Sequence, residues 1–103
     1  MEKGIRISQY ANNNRIYIGI IDEEGLPYCD LTVNLTNAAD IKPFDAFVDI
    51  NNFPDAMMFI HNYKLGTYTG IWKRSGYVRY PLYSFDPERL KELAPKDFAN
   101  LKL

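Results

Sequence analysis

The first half of the chain is dominated by short apolar runs with a spacing of two. Ile5 and Ile7 alternate with Arg6 and Ser8, and Asn12-Asn13-Asn14 then supplies residues that tolerate left-handed backbone angles, so strand, turn and strand are predicted. Between Arg15 and Asp22, Ile16, Ile18 and Ile20 share one face while Tyr17, Gly19 and Ile21 share the other. A strand covered on both faces belongs inside a sheet. Asp22-Glu23-Glu24-Gly25 makes a short loop, and the return run sets Cys29, Leu31, Val33 and Leu35 against Asp30, Thr32 and Asn34. That alternation predicts one strand with a buried and a wetted face. A loop over Thr36 to Pro43 leads to a further extended run, Asp45 to Ile50.

The period then changes. Asn52 is placed to accept from the free amides of a helix start, with Asp55 as its partner three residues on and Pro54 in the first turn, so a helix is predicted from about Pro54 to Tyr63. Ala56, Met57, Ile60 and Tyr63 fall on its sheet-facing stripe, and Gly66 is the expected left-handed end. A second hairpin, Thr67 to Phe85, is joined at Lys73-Arg74-Ser75-Gly76; Pro81, with no amide to donate, places its arm at an edge or at a bulge. Asp86-Pro87-Glu88 starts a final helix carrying Leu90 and Leu93, which Pro95 interrupts, and Lys96 to Leu103 reads as a turn of helix or a frayed end. The expected architecture is α+β: an antiparallel sheet of about five to six strands packed against one central helix, with a short C-terminal helix, in a single domain over residues 1–103.

Composition supports a folded chain: 47% hydrophobic and 15% aromatic residues rule out a segment too polar to offset its ordering entropy. A net charge of −1 gives the whole molecule no field toward phosphate backbones or anionic lipid. No run approaches the ~20 apolar residues that span a bilayer, no signal peptide precedes the first strand, and Cys29 has no disulfide partner, so the expected location is the cytoplasm. The triplet Asn34-Leu35-Thr36 matches a glycosylation acceptor, which means little in a chain without an export signal.

The residues that carry chemistry are few. His61 is the only histidine and sits at the edge of the helical stripe, where a solvated or capping role is expected over base catalysis. Cys29 reads as a small buried hydrophobe. Asp45, Asp49 and Asp55 bracket the main helix start and form a candidate cation set, but acids favour helix N-termini without any metal, and the calcium loop pattern is absent. No catalytic residue, metal ligand or cofactor is assigned, and an enzyme is not expected.

Charge is polarised along the chain. Residues 22 to 55 hold Asp22, Glu23, Glu24, Asp30, Asp40, Asp45, Asp49 and Asp55 against Lys42 alone, whereas Lys64, Lys73, Arg74 and Arg79 fall between residues 64 and 80 without an acid. Tyr68, Trp72, Tyr77, Tyr80 and Tyr83 are interleaved with these cations. Such a segment stacks bases and neutralises phosphates, or anchors a protein interface rich in Tyr, Trp and Arg; alternation sends about half of its rings into the core either way. The candidate interaction surface is Tyr68, Trp72, Lys73, Arg74, Tyr77, Arg79 and Tyr80.

Several pieces occur in a specific order: Asp30 to Leu35, Asp49-Ile50-Asn51-Asn52-Phe53-Pro54, Leu65-Gly66-Thr67 with Gly70, then Ser75-Gly76 and Tyr80-Pro81-Leu82-Tyr83-Ser84-Phe85. This pattern resembles an uncharacterised domain-of-unknown-function family of small proteins common on conjugative and phage-like elements of intestinal bacteria. It covers more than half of the chain and ends at Phe85, leaving the tail outside it. The resemblance implies a bacterial accessory protein of a mobile element and assigns no functional residue. Together with the missing catalytic groups, it leads to two expectations. The first is a non-enzymatic protein-binding accessory or inhibitor, and the alternative is a domain binding single-stranded nucleic acid through the second hairpin. No membrane partner is expected, and the oligomeric state is open.

Overall fold

The computed structural model describes residues 3–35 and 41–102. β1 (Gly4–Gln9) and β2 (Ile16–Ile21) form the predicted hairpin, with Ile7 opposite Ile18 and Ile5 opposite Ile20, and Asn14 takes the left-handed angle, at φ 57°, in the turn between them. Cross-strand partners share a face, so the isoleucines form one buried stripe, and β2 is the middle strand, as both its faces implied.

The return run is where expectation and fold part. It is two strands, not one: β3 (Pro27–Asp30) pairs with β2, and β4 (Thr32–Val33) pairs with β5 (Asp45–Val48). Leu31 stands between them; its amide donates to the Ile18 carbonyl at 2.9 Å, and its carbonyl accepts from the Asp49 amide at 2.9 Å. The chain therefore changes sheets at a fully buried leucine. Thr32 completes the corner, its hydroxyl accepting from the Ile18 amide at 3.1 Å and sharing a hydrogen bond with the Tyr10 hydroxyl at 3.0 Å.

As a result the expected single sheet is two antiparallel sheets, ordered β1-β2-β3 and β4-β5-β7-β6, with β6 (Gly66–Ser75) and β7 (Val78–Phe85) forming the second hairpin. Three helices occur among the described residues: α1 (Ala56–Tyr63) is the expected central helix, α2 (Pro87–Leu93) the expected C-terminal one, and α3 (Pro95–Ala99) stands where a turn of helix or a frayed end was expected, so one sheet packed on one central helix gives way to two sheets and three helices. The principal core gathers the isoleucine stripe, Val48, Tyr83 and Phe85 from the second sheet, Ala56, Phe59 and Ile60 from α1, and Leu90 from α2. Phe59 lies outside the predicted stripe, whereas Met57 and Tyr63 only flank the core. A smaller cluster of Leu35, Phe47 and Leu82 covers the other face of the second sheet, packed by Val33, Ile41 and Tyr80.

Two helix ends differ from expectation in their chemistry. Asn52 does not cap α1; its amide and side-chain amide donate to the Asp49 carboxylate at 3.1 and 3.0 Å, so Asp49 organises the preceding turn, and Asp55 is the residue at the cap position. Lys64, at φ 57°, ends α1 instead of Gly66. Gly66 opens β6, where a Cβ would lie 2.5 Å from the Ser84 carbonyl oxygen, so the glycine serves a close strand approach. Asp86 caps α2 as predicted, accepting from the Glu88 amide at 3.0 Å.

The tail is docked. The Asp97 carboxylate accepts from the Ile7 amide at 2.9 Å, and Gln9 exchanges two hydrogen bonds with the Lys102 backbone. β1 has β2 on one side, so the tail gives its other edge a partner. None of the helices among the described residues is long and apolar enough to cross a membrane. The predicted loop before Asp45 lies in part, at residues 36–40, outside the described residues.

Candidate binding surface

β7 pairs with β5 only from Leu82 to Ser84, but with β6 out to Val78. Residues 72–81 consequently extend beyond the sheet as a two-stranded arm. Ser75 pairs with Val78, so the turn centres on Gly76 and Tyr77, two residues later than the sequence places it. Gly76 has φ 65° and Tyr77 no positive φ, which is the type II′ pattern that continues strand twist. Tyr77 is thereby fully exposed at the apex.

At the base of the arm, Thr69, Gly70 and Ile71 lie between the pairs Tyr68–Tyr83 and Trp72–Pro81 and face Leu82 alone. Gly70 takes φ 84° in this bulge, and the Thr69 hydroxyl closes it by donating to the Leu82 carbonyl at 2.8 Å. Pro81 sits beside this bulge, which falls on the opposite arm, and past the reach of β5, so its own strand is locally an edge there. The bulge also splits β6, the edge strand, into two short pieces. Interrupted, cationic edges are how natural sheets discourage strand addition, so the backbone of this edge is a poor template for pairing with another chain.

Register decides which side chains act together. Trp72 is opposite Pro81, Arg74 opposite Arg79 and Tyr68 opposite Tyr83, which puts Tyr68, Trp72, Arg74 and Arg79 on one face. Lys73 and Tyr80 pair on the reverse face, where Tyr80 packs against the smaller cluster. The seven candidate residues therefore do not form one platform; four share a face, two lie behind it, and Tyr77 caps the end. Of Tyr68, Trp72, Tyr77, Tyr80 and Tyr83 only Tyr83 is buried, while Trp72 and Tyr80 are half-buried.

The front face is preorganised. The Trp72 indole N–H donates to the Tyr68 hydroxyl, their rings meet edge to face at 6.3 Å, and the Arg79 guanidinium lies 5.4 Å from the Trp72 ring centre. Arg74 and Arg79 oppose each other as like charges, and among the described residues the ion pair Arg89–Glu92 involves neither. Two exposed guanidiniums beside an aromatic pair make a surface suited to a carboxylate or another anion.

The remaining candidates are placed elsewhere. His61 is exposed on α1, and only its carbonyl accepts a hydrogen bond, from the Lys64 amide. Cys29 is partly buried, and that burial, reinforced by the negative charges of Asp30 and Asp49, pushes its thiol pKa up, away from nucleophilic chemistry. Asp45, Asp49 and Asp55 do not converge, and among the described residues no three His, Cys, Asp or Glu side chains do.

Two concavities escaped the sequence. A polar groove of 390 Å³ between β1 and the tail has its chief groups engaged in the Asp97 and Gln9 hydrogen bonds and is a seam of the fold. A cleft of 350 Å³ is lined by Tyr28, Phe53, Met58, Phe59 and Tyr63, with Lys3, Asp55 and Asn62 at its polar points. Its rings come from β3, a loop and α1, and only the off-stripe position of Met58 hinted at an apolar patch there.

The fold and this surface define a small two-sheet α+β domain that presents a projecting aromatic and basic hairpin. The chain belongs to the family described as a domain of unknown function, DUF4313, whose model matches residues 4–102. The match runs through the docked tail, well past Phe85. No curated protein and no solved structure matches the chain.

Proposed function

We propose that this protein is a non-enzymatic, cytoplasmic accessory or inhibitor of a bacterial mobile element that binds an acidic protein partner through the hairpin arm. The observation that carries the reading is Tyr77, fully exposed at the tip of a preorganised ribbon whose front face holds Tyr68, Trp72, Arg74 and Arg79. Tyr, Trp and Arg dominate the energetics of protein interfaces because they bury large area at low entropic cost. The absence of acids from residue 64 to residue 85 favours a partner of negative charge, with the acidic stretch from residue 22 to residue 55 repelling wrong orientations. The mobile-element setting rests on the motif resemblance alone.

Single-stranded nucleic acid is the weaker reading on physical grounds. The half-buried ring of Trp72 is already engaged by Arg79 and the edge of Tyr68, so stacking a base requires displacing them, and the arm itself offers only Lys73, Arg74 and Arg79 to phosphates. Trp72 is the single tryptophan, so its fluorescence reports on the arm alone. The test places a photo-cross-linking residue at position 77 or 74, with exposed position 92 as control, in cells that carry the protein. Discrete protein adducts from 77 and 74 but not from 92 support the proposal. Quenching of Trp72 by oligothymidylate, falling steeply with salt, would replace it by the nucleic-acid reading.

A further inference from the structure

The cleft remote from the arm has a more specific chemistry than an apolar patch. Its rings form a chain of steep contacts: Tyr28 to Phe53 at 6.4 Å and 82°, Phe53 to Phe59 at 6.0 Å and 66°, Phe59 to Tyr63 at 4.3 Å and 70°. Successive rings at these angles make walls, not a flat stack. Phe59 is anchored in the core and fixes the floor, whereas Tyr28 is 56% and Met58 63% exposed at the rim, an open cost for large apolar groups.

The cleft already holds a cation. Lys3 lies against it, its backbone amide donating to the Tyr63 hydroxyl at 3.1 Å and its ammonium 4.7 Å from the centre of the Tyr28 ring. A carboxylate stands in the same lining: Asp55 occupies the cap position of α1, yet its side chain caps nothing and makes no hydrogen bond or ion pair among the described residues. Aromatic walls, one unengaged carboxylate and a weakly tethered ammonium are the components of a site for a cation on an apolar stem, because ring faces are electron-rich and the exposed Asp55 carboxylate supplies a counter-charge at the rim.

We infer that this cleft is a binding site for an alkylammonium group, which in the isolated chain is filled by Lys3 in competition with the ligand. The ammonium group has two sources, a free amine such as a quaternary ammonium compound or the lysine side chain of another protein, and both present the same chemistry to Tyr28 and Asp55. The site is independent of the hairpin arm and of the function proposed for it.

The test follows the Met58 methyl signal by NMR in the full chain, titrated separately with choline, with its uncharged isostere 3,3-dimethylbutanol, and with Nα-acetyl-lysine methylamide. Saturable shifts are expected with the charged probes and weaker binding with the isostere; whichever charged probe binds more tightly names the source. Tyr28→Ala and Asp55→Asn each weaken binding by about two- to fivefold, while Lys3→Ala tightens it by a similar factor because the internal competitor is gone. Both Tyr28 and Asp55 are exposed, so their removal leaves the core intact, which an unchanged thermal midpoint verifies. Equal affinity for choline and its isostere overturns the inference, as does a Lys3→Ala variant that binds no better. An absence of shifts up to roughly 100 mM probe overturns it as well.

Discussion

The three-stranded sheet and the hairpin arm are built on the same two-residue period, yet they end in opposite environments. In the sheet, Ile5, Ile7, Ile16, Ile18 and Ile20 meet the second sheet and the helices, and all are buried. In the arm, the same alternation sets Trp72 with Arg74 on one side and Lys73 with Tyr80 on the other, and the front side carries exposed Tyr68, Arg74 and Arg79. Period therefore reports which residues share a face. Whether anything covers that face depends on how far neighbouring strands extend, and β5 stops pairing with β7 at Leu82.

The sharpest way to break this contrast is to truncate one residue of each region. Ile18→Ala removes a fully buried side chain at the centre of the stripe and is expected to cost about 2–5 kcal/mol in chemical denaturation, because the surrounding strands cannot collapse into the gap. Tyr77→Ala should stay within about 0.5 kcal/mol of the parent. Comparable losses at the two positions would mean that the tip is structural and would remove the basis for the binding proposal.

The corner that joins the sheets is the next target. Thr32→Val keeps shape but deprives the Ile18 amide and the Tyr10 hydroxyl of their partner, an expected loss of roughly 1–3 kcal/mol set by the desolvation of groups left unpaired. A neutral result would show that the change of sheet does not depend on this hydroxyl.

That corner also marks the limit of what the sequence made legible. The hairpin of β1 and β2, the helix near Met57, the Asp86 cap and the break in regular pairing around Pro81 were all readable, since each is dictated by local spacing or by a residue with one conformational role. The split of the return run was not, because Leu31 satisfies alternation whether or not its backbone changes partner. Helix ends misled as well: Asn52 has the right chemistry for a cap but is taken by Asp49 in the local turn before the helix, and Gly66 instead serves the close approach of β6 to the Ser84 carbonyl. On the candidate surface, the sequence located the segment and its charge, while the division of the seven residues between two faces required the register. Of the aromatic cleft only Met58, off the helical stripe, gave a sign, as Tyr28, Phe53 and Met58 share no period.

A smaller effect probes how the edge of the isoleucine sheet is kept closed. Asp97→Ala leaves the Ile7 amide, partly buried, without its acceptor. An expected loss of about 0.5–1.5 kcal/mol should accompany faster hydrogen exchange at Ile7, with exchange at Ile18 unchanged because β2 lies inside the sheet. Unaltered exchange at Ile7 would mean that the tail does not protect this edge in solution.

The smallest effect concerns the opposition of Arg74 and Arg79. Directly paired like charges disfavour a hairpin, so a ribbon selected only for stability would not carry them. Arg74→Glu turns the pair into an attractive one, and because both residues are exposed, the gain should be a few tenths of a kcal/mol, about the value of a surface ion pair, and should vanish in high salt. The same substitution reverses one of the charges offered to an acidic partner and should abolish the cross-link from position 77. A variant that is slightly more stable yet unable to bind is the expected signature of a surface kept strained for recognition. If Arg74→Glu instead destabilises the arm, the guanidiniums have a structural role that the geometry of the isolated chain does not reveal, and the charge complementarity argued for the partner loses its support.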